Sequence, residues 1–366
     1  MPLDAAAFPH GKQHVLALGE SSHGNEDMLR ARNRLILQLA DQGRISWVAL
    51  ETGFAESRLL DAFVRGGAGD AADIAKHGFT SGFGNFEANV ALLRELRAAN
   101  AQRAARDQVG IIGIDLSLGG PLDSAPTMAP VQCALEGVED AKRRVTLTAK
   151  FLEAVKPGLV APTVTAQQKA AFHELADRLS SSLPPTASAE ARACARIVMQ
   201  SAAVFDSIPA SVTPGSIPND AWVSISRRDE AMAANALDAL HRSAGKSLFL
   251  FAHTSHVLKS ARRGGQLRTQ KHPPISMGEV LRQRLGSRYY ALAQVESAPV
   301  NGSHVPDLIA AFRTKCTKLC VVLANARPKL RRTTLRIGIN GNDEQLIDTA
   351  AADAFLIMPR QNNEQR

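Results

Sequence analysis

Aromatic rings and cysteines are scarce in this chain. It has two Trp, two Tyr and four Cys among 366 residues. The formal net charge is +8, which raises the question of nucleic acid. The Lys and Arg residues are dispersed, however, and the two densest patches, Lys259 to Lys271 and Lys329 to Arg336, have no interleaved aromatics on which bases could stack. Both read as solvated faces. Cys133, Cys194, Cys316 and Cys320 match no zinc or redox spacing. They read as free thiols in a reducing cytoplasm. No apolar run approaches the roughly 20 residues that a membrane span needs. Met1-Pro2-Leu3-Asp4 enters mixed sequence directly, without a basic-then-apolar leader. The expected location is therefore cytoplasmic. Also missing are a Gly-x-Ser-x-Gly elbow, a phosphate-binding glycine loop and a dinucleotide fingerprint. A serine nucleophile and a nucleotide cofactor lose their usual sequence support.

With 45% hydrophobic and 21% charged residues, the composition is that of an ordinary globular protein. Short apolar runs alternate with helical patterns, which predicts an α/β fold: a mainly parallel central sheet flanked by helices. Strands are expected at 13–19, 47–50, 109–114, 247–251, 289–295, 319–323, 335–339 and 354–358, a sheet of about eight. Between the first two, Met28, Leu29, Leu35, Ile36 and Leu39 form one apolar stripe of a helix over 26–42, which Gly43 stops. Further helices are expected at 56–64 and 86–101, separated by a glycine-rich stretch over 66–84. Residues 131–245 lose strand-type runs and become alanine-rich and helical. We read 1–130 and 246–366 as two halves of one α/β core, and 131–245 as a helical insertion capping the sheet's carboxyl edge.

Four of these strands end in an ionisable residue: Glu20, Glu51, Asp115 and His253. In open α/β sheets the carboxyl edge is where ligands bind. His23 and His256 stand close in sequence to two of these ends. Arg32 lies on the apolar stripe of the first helix, where a guanidinium must find a partner or reach out to solvent. Glu51 is either part of the site, or an N-cap or an ion-pair partner for Arg32. Asp115 is either a cap for the following turn, Leu118-Gly119-Gly120-Pro121, or a minor substrate contact. Two carboxylates, three histidines and an arginine suit an activated water. One imidazole takes the water's proton, a carboxylate fixes that imidazole's tautomer, and the remaining cations or histidines stabilise an oxyanion. Gly24 would let backbone approach a substrate closely.

These residues also carry a resemblance. The sequence is similar to the erythromycin esterase family in Gly19-Glu20-Ser21-Ser22-His23-Gly24, in Arg32, in Leu50-Glu51, and in Ala252-His253-Thr254-Ser255-His256-Val257. Smaller echoes are Arg228-Asp229-x-x-Met232-x-x-Asn235, Ser276-Met277-Gly278-Glu279 before Tyr289-Tyr290-Ala291-Leu292, and Asp353-Ala354-Phe355-Leu356-Ile357. The resemblance implies a cleft holding Glu20, His23, Arg32, Glu51, His253 and His256, with His23 as general base and no metal or other cofactor. The substrate it implies is a small ester or lactone, macrolides included. The helical middle is short for that family. Where the family is tryptophan-rich, this chain reads Phe79-Thr80-Ser81-Gly82-Phe83-Gly84-Asn85-Phe86, a stretch expected to line the substrate cleft through Phe86. Two other readings of the same cluster stand beside hydrolysis by metal-free activated water. One is a metal-dependent hydrolase, and the other a ligand-binding protein of the haem-carrier kind.

Overall fold

The structure is a computed structural model that describes residues 4–11, 14–116, 128–155, 165–207, 221–260, 274–295, 320–323, 334–339 and 343–357. The turn at 118–121, Cys316 and most of both basic patches lie outside these residues.

Strand β1 (Val15–Glu20) is buried along its whole length. Its uninterrupted Val-Leu-Ala-Leu run is what a strand covered on both faces requires. Helix α1 (Glu26–Asp41) follows, capped by Asn25, whose Oδ1 accepts from Met28 N–H at 3.1 Å. Then come β2 (Ile45–Gly53), α2 (Ser57–Val64), α3 (Ala71–Gly78), α4 (Glu87–Ala101) and β3 (Gly110–Asp115). Helix α3 sits inside the glycine-rich stretch, where Asp70 caps it through its carboxylate. The described residues of 129–241 hold five helices: α5 (Ala129–Leu135), α6 (Ala141–Val155), α7 (Ala166–Ser181), α8 (Ala189–Asp206) and α9 (Ala221–His241). The chain returns to strand at β4 (Ser247–His253), passes a single helical turn, α10 (Thr254–Val257), and α11 (Met277–Leu285), and enters β5 (Tyr289–Val295). The remaining strands are β6 (Cys320–Leu323), β7 (Thr334–Ile339), β8 (Asp343–Asp348) and β9 (Ala354–Ile357).

Among the described residues, the main sheet has seven strands in the order β3-β2-β4-β1-β5-β9-β6. Strands β4 and β5 flank β1 in parallel, and β9 continues beside β5 in parallel. Strand β6 is antiparallel to β9. The expected eight-strand sheet needs correction at 335–339. That segment pairs antiparallel with β8, which the sequence reading missed, in a separate two-stranded sheet. Alternation such as Thr-Leu-Arg-Ile identifies a strand but not its neighbour. Strands β1 and β4 are neighbours whose onward connections, to β2 and to β5, run to opposite sides of the pair. Such a point in a parallel sheet is where ligands bind, beyond the carboxyl ends.

The chain divides into two compact units, Met1–Ala49 with Ala98–Gly110 and Ala236–Arg366, and Leu50–Arg97 with Ile111–Asn235. The first is built on β1, β4 and β5, with Phe8 set edge-on against Phe249 and Tyr290. In the second, Phe172 packs between Phe151 and Phe205, joining α6, α7 and α8. A disulfide there joins Cys133 of α5 to Cys194 of α8. This corrects the expectation of free thiols. The two cysteines are 61 residues apart and match no motif, so only helix packing could bring them together. No helix among the described residues is long and apolar enough to cross a membrane.

Candidate active site

In the first unit, β1 and β4 run in parallel with Glu20 opposite His253. The register alone brings two of the predicted residues to one edge. Just past β1 the chain turns through Ser21, Ser22, His23 and Gly24, with Gly24 at φ +79°. That left-handed conformation is the local reason for glycine here. The turn folds His23 back onto Glu20, and Nδ1 lies 2.8 Å from Oε1. Glu20 is buried, while about a third (32%) of the His23 side chain is exposed. A carboxylate at Nδ1 draws the ring proton to that nitrogen, so Nε2 keeps the lone pair. This is the arrangement of an oriented general base.

His253 and His256 are buried on α10 and its cap. The His253 ring lies 4.9 Å from that of His23 and 6.4 Å from that of His256, centroid to centroid. Its hydrogen bonds decide its protonation. Nδ1 faces the Ser255 N–H at 3.3 Å and Ser255 Oγ at 2.7 Å, and must accept from the backbone donor. Nε2 lies 3.1 Å from the Ser21 carbonyl oxygen and must donate to it. With one nitrogen accepting and the other donating, His253 is a neutral imidazole with both sites committed. The turn and α10 can pack this closely because residue 19 is glycine. A Cβ there would stand 2.8 Å from Thr254 Cα.

Arg32 is 1% exposed. The option of reaching solvent is overturned: Nε and Nη2 donate to Asn33 Oδ1 at 3.1 and 2.7 Å, and the guanidinium sits 4.7 Å above the Phe251 ring of β4. The Glu51 carboxylate is met by another arginine, one that the sequence reading did not single out for the site.

That arginine is in the second unit, which carries Glu51, Asp115 and Phe86. Arg228 of α9 donates from Nε to Asp115 Oδ1 at 2.8 Å and from Nη2 to both Asp115 Oδ2 and Glu51 Oε1, the last at 3.1 Å. Burial works to lower the proton affinity of Arg228. The charge and hydrogen bonds of Asp115, with the charge of Glu51, outweigh it and hold Arg228 above the ordinary arginine range. Asp115 also accepts the Leu116 N–H at 2.7 Å; the turn at 118–121 that it was expected to cap lies outside the described residues. Asn235, one α-helical stretch further along α9, donates to the Ile114 carbonyl at 3.0 Å. Phe86 is half-buried and stacks on Phe83.

Sequence reasoning missed Arg228, Ser255 and Gln294 as members of these clusters. For Arg228 the signal was present in the Arg-Asp pair of α9. For Gln294, a neutral residue ending an apolar strand, there was none. Among the described residues, no group of three or more His, Cys, Asp or Glu is disposed to hold a metal ion.

Known proteins share this fold. The chain resembles solved structures of a Bacillus cereus protein (18% identity, TM-score 0.72, covering 97% of this chain and 90% of that one) and a succinoglycan biosynthesis protein (16%, 0.73, 95% and 88%). It also resembles a mutant of the erythromycin esterase EreC in its open conformation (16%, 0.66, 94% and 90%). At these identities the likeness establishes the fold. No curated protein sequence matches. A family model, Erythromycin esterase, matches residues 43–297. That is more than half the chain, and by this match the chain belongs to the erythromycin esterase family.

Proposed function

We propose that the chain is a carboxylic ester hydrolase that cleaves an ester or lactone with water activated by His23. The observation that carries this reading is the 2.8 Å contact between His23 Nδ1 and Glu20, on a ring that stays partly exposed. His23 Nε2 takes a proton from water, and the hydroxide adds to the carbonyl carbon. The tetrahedral adduct collapses as the imidazolium returns the proton to the departing alkoxide, giving an acid and an alcohol. Glu20 fixes the tautomer and stabilises the imidazolium. His256 is assigned to the developing charge and Gly24 to the substrate's surroundings. Arg32 is assigned a supporting role through Asn33 and Phe251, because it is too deeply buried to touch a substrate.

The reaction is assigned to activated water without a metal. His253 supports this, since its Nδ1 lone pair and Nε2 proton are both engaged by Ser255 and Ser21. A macrolide lactone is the substrate class suggested by the EreC likeness, and simpler lactones and esters are equally compatible with a half-buried phenylalanine pair in place of tryptophans.

The test is a panel of simple esters, small lactones and macrolides, assayed with wild type and His23→Ala, with and without chelator. The expected result is turnover of at least one class, retained in chelator, and a fall of about 10²- to 10⁴-fold in kcat for the variant at unchanged circular dichroism. Wild-type turnover in His23→Ala would overturn the assignment of the base. Loss of activity in chelator, restored by a divalent metal, would overturn the metal-free mechanism.

A further inference from the structure

The turn that carries His23 is gripped at Ser21 from both sides, through its N–H and through its carbonyl. The Ser21 carbonyl accepts from His253 Nε2 of β4 at 3.1 Å. The Ser21 N–H donates to Gln294 Oε1 of β5 at 3.2 Å. Strands β4 and β5 are the two neighbours of β1, so the chain is gripped from either side as it leaves the sheet. Gln294 is fully buried, and its own carbonyl accepts from Thr254 Oγ1 at 3.0 Å, which ties β5 to α10. The Ser21 N–H can meet only an acceptor, and this fixes which end of the Gln294 amide is oxygen. The other end, Nε2, is buried with no acceptor among the described residues. A buried amide donor without a partner costs stability. An apolar residue of the same shape would avoid that cost, so what Gln294 contributes is its bond to Ser21.

We propose that Gln294 is a positioning residue: by holding the Ser21 N–H it sets the turn that places His23 Nδ1 against Glu20. It touches neither His23 nor a reacting atom. The proposal rests on His23 being the base, and its test includes a readout that does not depend on turnover. An imidazole N–H donating to a carboxylate gives a downfield proton resonance in the resting enzyme, assigned by its disappearance in His23→Gln.

Gln294→Met removes both the acceptor and the Nε2 donor at nearly constant volume. Gln294→Glu keeps an acceptor oxygen toward Ser21. The expected result for Gln294→Met is a Tm close to that of wild type, a shifted or lost resonance, and a kcat lower by about 10- to 100-fold with KM little changed. Gln294→Glu is expected to restore the resonance and part of kcat. An unchanged resonance in folded Gln294→Met overturns the proposal, whatever happens to turnover. So does a loss of kcat in both variants that follows a fall in Tm. If the Met variant does not fold, Gln294→Ala read by the same resonance decides in the same way. Should His23→Ala stay active, the resonance still reports on Gln294, and the two failures are told apart.

Discussion

Arg32 and His23 sit in the same unit under opposite constraints. Arg32 is sealed and must satisfy its charge locally, which it does on the Asn33 amide oxygen and the Phe251 face. The planar guanidinium is needed for both contacts at once. Arg32→Lys is therefore expected to lower Tm and activity together, since a compact ammonium cannot fork onto Asn33 and stack on Phe251; wild-type values for both would contradict this. As the proposed base, His23 must be deprotonated to act. Its rate profile is expected to fall on the acid side, and a flat kcat/KM between about pH 5 and 8 would remove it as the base. Gly24 adds a cost that any other residue would incur. At φ +79° an alanine is strained by about 1–2 kcal/mol, and denaturant titration of Gly24→Ala should show a loss of that size.

At the scale of elements, the turn after β1 and the single turn α10 are short segments held by the strands beside them. Neither has enough internal hydrogen bonds to stand alone. The helices of the second unit are joined differently. Helices α5 and α8 share the Cys133–Cys194 bond, and Arg58 of α2 ion-pairs with Glu136 at 3.0 Å and Glu190 at 2.8 Å. The ion pairs are exposed and contribute little. The disulfide closes a loop of 61 residues, which in the chain-entropy account stabilises by about 4 kcal/mol. Cys194→Ser, or wild type in reductant, should melt lower by several degrees. An identical Tm with and without reductant would show that the bond adds nothing to stability.

Across the whole molecule, alkaline pH offers a further test. Burial, with the charge of Asp353, pushes the Tyr290 hydroxyl up to about 12. The unfolded phenol ionises near 10, so the folded form keeps its proton longer than the unfolded form. The stability this represents is fully present below pH 10 and is lost as pH rises to 12. With the hydroxyl partly solvated, the loss should be about 1–2 kcal/mol. Melts of wild type and Tyr290→Phe across that window should converge in slope only if another group is responsible.

The chain alone determined the strand ends, the helical character of 131–245 and the family. These follow from local periodicity and from short motifs whose spacing survives folding. Glu20, His23, His253 and His256 were legible for the same reason: each ends or follows an apolar strand, and parallel strands present those ends together. Tertiary structure decided the pairings. Register placed His253 on a carbonyl 232 residues away, committing both of its nitrogens. Helix α9 supplied Arg228 to Glu51 and Asp115, helix packing joined two cysteines without a motif, and β5 brought a neutral glutamine to the Ser21 N–H. Spacing along a chain states which face a side chain takes within its own element. It carries no information on which atom of a distant element comes within 3 Å, because that depends on the packing of everything between them.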